Sequence, residues 1–255
     1  MATAVAALGE LRSRVRPLAL AGERALPVHP DLAALFPGGA LRRGAVVGCV
    51  GSMAWSVSMA LCAQASQAGA WIGVVGVPRF GLAAAAEWGV SLDRLVAVGV
   101  HSATSAVESG VHGSRSHGSG VRSAQVIAAA LDGFELVIAG AADISAGDAR
   151  RLAARVAQRG AALLLVGNPG TFAVDVVCEA RSARWRGITD GAGRLTARQV
   201  EFEVSGRRVD RARRAVLWFP SPQGTIASTQ PPVASVPVAG VPVAGVPGAR
   251  VERAG

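Results

Sequence analysis

The strongest indication of the fold class is the stretch from Gly44 to Pro78, which reads GAVVGCVGSMAWSVSMALCAQASQAGAWIGVVGVP and carries no charged residue. It divides into an apolar β-type run at 45–50, an alanine-rich helical run to about Ala68, and a second β-type run at 71–75. Strands that are apolar on both faces are typical of parallel sheets covered by helices. The stretch therefore predicts a buried strand–helix–strand unit.

The same stretch is long enough to cross a bilayer. It is poor in Leu, Ile and Phe, however, and it contains several serines, glutamines and glycines. We interpret it as part of an α/β domain and expect no membrane association.

The alternation of helices and strands continues along the chain. Ser145 is placed to cap a helix that Gly160 ends, since a serine accepts from the first turn and glycine adopts the left-handed conformation. Further helices are predicted at 82–88 and 123–131, and apolar strands at 95–100, 135–139 and 161–166. Strands predicted at 172–180, 199–204 and 214–219 follow, the second of them with clear alternation. The fold class is therefore α/β, with a mostly parallel central sheet covered by helices on both faces and extended by C-terminal antiparallel strands.

Three domain segments follow from this pattern. Residues 1–40 hold an N-terminal helix, predicted at 1–25, and a connecting loop. Residues 41–220 form the α/β core with its C-terminal strands. Residues 221–255, with a near-repeat of Val-Pro-Val-Ala-Gly, are expected to be a disordered tail because proline recurs every fifth residue.

The composition of the 255-residue chain limits its chemistry. It contains 26 basic and 17 acidic residues, a net charge of +9, and every basic residue is an arginine. The absence of lysine excludes mechanisms that need a lysine, including a phosphate-binding lysine. The charge fits an anionic partner, and a generic arginine-rich surface explains it equally well. The three cysteines and the loop histidines, His101, His112 and His117, have no common zinc spacing, and we expect no metal and a reducing cytoplasmic location.

The turn after the first buried strand is where a phosphate-binding loop belongs. Such a loop reads G-x-x-x-x-G-K-[ST], with inward backbone N–H groups, a lysine on the phosphates and a hydroxyl on Mg²⁺. Here Gly51 and Ser58 fit the first and last positions. Ser56 replaces the second glycine, and Val57 stands where the lysine belongs. We interpret Gly51, Ser56, Val57 and Ser58 as a vestigial phosphate loop.

Several further stretches carry a family resemblance. The turn Trp88-Gly-Val-Ser-Leu-Asp-Arg-Leu95 resembles one in the RecA recombinase core. The chain looks most like the actinobacterial ImuA-type (ImuA-prime) proteins, degenerate members of the RecA/SulA-like superfamily. The matching stretches are Leu26-Pro-Val28, Leu35-Phe-Pro-Gly-Gly39, Leu41-Arg-Arg-Gly44, Asp148-Ala-Arg-Arg-Leu-Ala-Ala-Arg155, Ser182-Ala-Arg-Trp-Arg-Gly187 and Val216-Leu-Trp-Phe-Pro220.

The resemblance implies ATPase residues that this chain lacks. Val77 stands where the family has the glutamate that activates water, and Ala139-Gly140 where it has the aspartate of the Mg²⁺ site. Losing the phosphate clamp, the base and the metal anchor together removes what phosphoryl transfer depends on. We expect no catalytic residue, no cofactor and no ATP hydrolysis. The family's two DNA-binding loops also look deleted, after strands ending at Ala139 and Val166.

The positive charge is concentrated near the C-terminal strands. The residues selected for binding a partner or nucleic acid are Arg181, Arg184, Trp185, Arg186, Arg207, Arg208, Arg211, Arg213 and Arg214. Arginines can hold phosphates and a tryptophan can stack on a base. The alternative is that Trp185 packs at the sheet edge beneath solvated arginines, and a basic hairpin suits an acidic protein as well as DNA.

The resemblance implies a non-enzymatic adaptor in SOS-induced error-prone translesion DNA synthesis. Its direct partner would be an ImuB-type Y-family pseudo-polymerase, contacted through Leu195–Pro220, with a DnaE2-type polymerase bound indirectly. A weak DNA contact and self-association through the N-terminal helix stay open. The alternatives are a SulA-like cell-division inhibitor acting on FtsZ, and a nucleotide-dependent, recombinase-like DNA enzyme.

Overall fold

The computed structural model describes residues 25–77, 80–99, 117–140, 144–189 and 192–229. The helix predicted at 1–25, which lies outside these ranges except for Ala25, is not described further. His101, His112 and the repeats of the C-terminal tail also lie outside them.

The described residues form a mixed α/β structure around one large sheet. The strands are β1 (Ala25–Pro27), β2 (Ala40–Arg42), β3 (Val46–Val50), β4 (Ile72–Val75), β5 (Leu95–Val98), β6 (Leu136–Gly140), β7 (Ala162–Val166), β8 (Val176–Thr189), β9 (Ala192–Ser205), β10 (Arg213–Trp218) and β11 (Ala227–Ser228). The helices are α1 (Pro30–Ala33), α2 (Ala54–Gln67), α3 (Leu82–Glu87), α4 (His117–Gly133) and α5 (Ala146–Arg159), with short 3-10 turns at Pro37–Gly39 and Leu92–Arg94.

Nine of the described strands form the large sheet, in the order β11-β10-β9-β8-β3-β7-β6-β4-β5. The six neighbours from β8 to β5 are mutually parallel, and β9, β10 and β11 are added antiparallel. The remaining two strands, β1 and β2, form a separate small hairpin in a stretch that we expected to be a loop. The mostly parallel sheet with antiparallel C-terminal strands is as predicted.

Helices bury both faces of the parallel strands. Neighbouring residues of one strand point to opposite sides, so Val47 packs in the apolar cluster beneath α2 and Val46 in the cluster beneath α4 and α5. This two-sided burial explains why the strands read as continuous apolar runs. The stretch 44–78 contains β3, α2 and β4, and among the described residues no helix is long and apolar enough to cross a membrane.

Helix α5 begins and ends as predicted. The Ser145 hydroxyl oxygen accepts a hydrogen bond of 3.1 Å from the backbone N–H of Asp148. Gly160 closes the helix in the left-handed conformation, at φ 66°.

Replacing Ser145 with alanine is expected to lower the free energy of unfolding by about 1 kcal/mol, because the N–H of Asp148 loses its acceptor. Urea denaturation followed by circular dichroism measures the change. An unchanged denaturation midpoint would show that the capping bond contributes nothing.

The C-terminal strands are much longer than predicted. We expected a strand at 172–180, but β8 begins at Val176 and runs to Thr189, so the connection after β7 spans 167–175 rather than 167–171. β9 begins at Ala192 rather than at residue 199. Together β8 and β9 form a hairpin whose distal half extends beyond the parallel strands. Regular structure also continues past Pro220, the expected end of the core, since Ala227 and Ser228 pair with β10.

Candidate functional site

The carboxyl end of β3 lies at the point where connections leave the sheet on opposite sides. After β3 the chain enters α2 on one face, whereas after the neighbouring strand β7 it runs through Phe172, which packs on the other face. In open α/β sheets, ligands bind in the crevice that such a switch creates. The turn that we interpreted as a vestigial phosphate loop therefore lies where the fold favours a ligand site.

The segment that follows β3 is a short turn. Only Gly51, Ser52 and Met53 separate Val50 from the first residue of α2, and Gly51 takes a φ of 82°. Ser56, Val57 and Ser58, which we aligned with the later part of the loop, are residues of the helix. The part of the interpreted loop that lies outside the helix is therefore only three residues long.

The side chains at the lysine and hydroxyl positions point into the protein. Val57 is fully buried in the cluster between α2 and the sheet. Ser58 is also fully buried, and its hydroxyl donates a 2.8 Å hydrogen bond to the carbonyl of Trp55. Neither side chain faces the crevice.

A carboxylate lies beside the turn that joins β3 to α2. A Cβ placed on Gly51 would come within 3.2 Å of Oε1 of Glu179, which is on the adjacent strand β8. The other oxygen of Glu179 accepts a hydrogen bond from Arg181. A negative group at this position repels a triphosphate, whereas a phosphate-binding loop presents N–H donors.

The two acidic positions implied by the family resemblance are apolar in the structure as well as in the sequence. Val77 packs against the core beneath α2, and Ala139 is fully buried near the end of β6. Within the described residues, no group of His, Cys, Asp or Glu side chains could hold a metal ion.

The arginines selected from the sequence fall into two separate groups. Arg207, Arg208 and Arg211 lie in the turn after β9, at the amino end of β8. Arg184 and Arg186 lie toward the tip of the hairpin, beyond the carboxyl end of β3. The sheet separates the two groups, so these residues do not form one continuous surface.

Arginines of the turn are held by the protein's own acceptors. Arg207 and Arg208 both contact the carboxylate of Asp175, at 2.7 Å and 2.8 Å. Asp175 is buried, and its other oxygen accepts a 3.0 Å hydrogen bond from the N–H of Val46. No local sequence pattern signals this cluster, because its members lie far apart along the chain.

The arginines that begin β10 are also paired. Arg213 donates to the carbonyl of Phe36 at 3.2 Å and contacts Asp210 at the same distance. Arg214 donates to Glu203 at 2.8 Å. These contacts give both arginines a structural role, in fixing β10 to its neighbours.

Arg184 and Trp185 point to different faces of the hairpin. An irregularity between Arg181 and Arg184 inserts one extra residue in β8, so both arginines lie on the face that carries Glu201 and Gln199. Trp185 points to the opposite face.

An arginine on β9 covers the ring of Trp185. Arg198, its cross-strand partner, lies 5.0 Å from the ring centre and donates a 2.7 Å hydrogen bond to the carbonyl of Phe219. Partial burial lowers the pKa of Arg198. In the same way Arg186 lies 5.0 Å from the ring of Trp218. Sequence analysis missed Arg198, whose role is visible only once the strand register is known.

The three cysteines meet in the core although they are far apart in sequence. Cys49 and Cys178 are register partners on β3 and β8, and Cys62 lies on α2 in the same apolar cluster. All three are free thiols, and burial raises the pKa of each. Protonated, buried thiols are poor nucleophiles, so this cluster is part of the core.

The fold and the site together define a mixed α/β protein. Its connections leave the sheet on opposite sides after β3 and β7, as in ligand-binding α/β sheets, but only a short turn lies where a phosphate loop would be. Residues 34–170 match the family model described as MT3502 N-terminal domain, which is more than half of the chain. The chain therefore belongs to that family, whose function is unclear. No curated protein matches the sequence significantly. The match covers the parallel strands β3 to β7 and ends before the long hairpin.

Proposed function

We propose that this protein is a non-enzymatic, RecA-like adaptor that acts in the cytoplasm in SOS-induced error-prone translesion DNA synthesis. The observation that carries the proposal is the site after β3, where the lysine position is Val57 inside the core and Glu179 lies beside Gly51. The sheet has the strand order that creates a ligand-binding crevice, but the side chains that hold a nucleotide are missing. We therefore infer that the protein acts by binding partners through its surface.

The family resemblance supplies the partner. ImuA-type proteins accompany error-prone polymerases, so we infer that the chain binds an ImuB-type Y-family pseudo-polymerase and, through it, a DnaE2-type polymerase. The order of the strands around β3 and the apolar residues at both acidic positions support a degenerate RecA-like core. The segment Leu195–Pro220 contributes the end of the hairpin, whose exposed residues are available to a partner.

The purified protein is expected to bind no fluorescent ATP analogue at micromolar concentration and to release no phosphate from ATP, with or without single-stranded DNA. The reason is that Val57, at the lysine position, is buried and that Glu179 lies beside Gly51. Malachite-green detection of phosphate and fluorescence anisotropy measure both quantities. DNA-stimulated phosphate release that disappears in the Ser58→Ala variant would contradict the proposal.

The full chain, immobilised, is expected to retain the purified ImuB-type pseudo-polymerase encoded by the same genome. FtsZ serves as the comparison, because a SulA-like inhibitor with the same degenerate core would change the amount of FtsZ polymer that sediments. Retention of the pseudo-polymerase with unchanged FtsZ sedimentation supports the adaptor. If the pseudo-polymerase is not retained and FtsZ sedimentation changes, the cell-division inhibitor would replace the adaptor as the proposed function.

A further inference from the structure

The distal part of the β8–β9 hairpin, residues 184–189 and 192–198, projects from the sheet as an arm. β10 pairs with β9 only as far as Gln199, and β3 pairs with β8 only as far as Glu179. Beyond Gln199, Phe219 and Pro220 still make backbone hydrogen bonds with Arg198. At about 3.3 Å per residue, the arm extends on the order of 20 Å past that point.

Three large apolar side chains are exposed on the arm. Trp185 is 47% exposed, Ile188 53% and Leu195 47%. An isolated hairpin gains nothing from holding such side chains in water, and clustered exposed apolar residues mark sites of protein contact.

The arm is also strongly basic. Between residues 180 and 200 the sequence has five arginines and a single acid, Asp190. Arg184 and Arg194 are exposed, and neither lies within ion-pair distance of a carboxylate in the part of the chain that the structure describes. This distinguishes them from Arg207 and Arg208, which contact Asp175.

The exposed groups suit a protein better than a nucleic acid. Ile188 and Leu195 are aliphatic, and they offer neither a stacking surface for a base nor a donor for a phosphate. One ring face of Trp185 is covered by Arg198, and Trp218 is covered in the same way by Arg186. Single-strand binding relies on open aromatic faces.

We propose that the arm is the docking element of this protein and that its occupant is an acidic protein segment carrying apolar side chains. The apolar residues of the segment would pack on Ile188 and Leu195, while its carboxylates would pair with Arg184 and Arg194. This inference rests on the proposed adaptor function, of which it names the contact surface and the chemistry of the partner.

The test compares matched variants of the full chain. Ile188→Ser and Arg194→Glu alter the arm, whereas Leu92→Ser and Arg150→Glu make similar changes at exposed residues remote from it. Circular dichroism and thermal melting establish that each variant is folded. The probes are a fluorescein-labelled peptide of Leu-Asp-Asp repeats, an all-Asp peptide of equal length, an oligothymidylate, and the ImuB-type pseudo-polymerase.

We expect the Leu-Asp-Asp peptide to bind the wild-type chain, and each arm variant to weaken that binding roughly tenfold or more while the remote variants do not. We expect the all-Asp peptide to bind more weakly than the mixed one. Equal binding by arm and remote variants, no binding of the mixed peptide, or displacement of that peptide by the oligothymidylate would overturn the proposal.

The pseudo-polymerase separates this inference from the proposed function. If it binds the wild-type chain and the arm variants equally, the proposal that the arm is the docking element is wrong, and the proposed adaptor function is retained. If it does not bind while the mixed peptide still binds through the arm, the arm is supported and the named partner is wrong.

Discussion

Replacing Val57 with lysine is expected to unfold the protein rather than to create a nucleotide site. Val57 has no exposed surface and packs between α2 and the sheet, so its replacement would bury an ammonium group in an apolar cluster. Burying such a group costs on the order of 4 kcal/mol, a large part of the stability of a typical domain. Guanidinium denaturation measures the loss, and anisotropy of a fluorescent ATP analogue measures binding.

The matched control is Gln64→Lys, which introduces the same side chain on a partly exposed position of the same helix. It is expected to leave the denaturation midpoint nearly unchanged, because the ammonium group reaches water. A folded Val57→Lys variant that binds ATP would show that the segment after β3 is a true phosphate loop and not a short turn that has lost the nucleotide.

Replacing Asp175 with alanine is expected to lower the free energy of unfolding by about 3 kcal/mol. The change removes the acceptor of the buried N–H of Val46 and the shared carboxylate of Arg207 and Arg208. A buried donor without a partner is costly, and so is the loss of charge-assisted hydrogen bonds. Because the two arginines are half exposed, water compensates for part of the loss. Urea denaturation measures the difference.

The comparison for this variant is Asp210→Ala, on the same turn. Asp210 is largely exposed, and its contact with Arg213 lies in water, where ion pairs contribute little. We expect almost no change in the urea midpoint of this variant. Equal effects of the two substitutions would mean that the cluster around Asp175 has no special role.

The parallel part of the fold could be predicted from the sequence because burial leaves a local pattern. The continuous apolar run of β3, the strand Ala162–Val166 and the capped helix α5 each carry their signal within a few residues. The boundaries at Ser145 and Gly160 were correct for the same reason, since capping is a short-range interaction.

The arm could not be predicted in this way. Residues 184–188 and 193–196 are exposed on both faces, so their sequence lacks the alternation of apolar and polar side chains that indicates a half-buried strand. Their strand conformation depends instead on pairing between β8 and β9. The irregularity after Arg181, which sets the face of Arg184, is likewise a property of the register and not of the sequence.

The turn after β3 could be located from the order of strand and helix in the sequence. The apolar residues at the two positions where the related family has acids are read directly from it. Ser56, Val57 and Ser58 lie on α2, and the apolar pattern of that helix already includes them in the sequence. Asp175 and Glu179 were missed, since what they contact depends on which strands lie side by side.

The extent of the family match gives the arm a particular place in the molecule. The matched region ends at Gly170, whereas β8 begins at Val176. The scaffold that defines the family and the element proposed to select the partner are therefore consecutive segments of the chain. Because the arm lies beyond the residues of β8 that pair with β3, our proposal predicts that exchanging the arm between two relatives transfers partner preference without rebuilding the parallel strands.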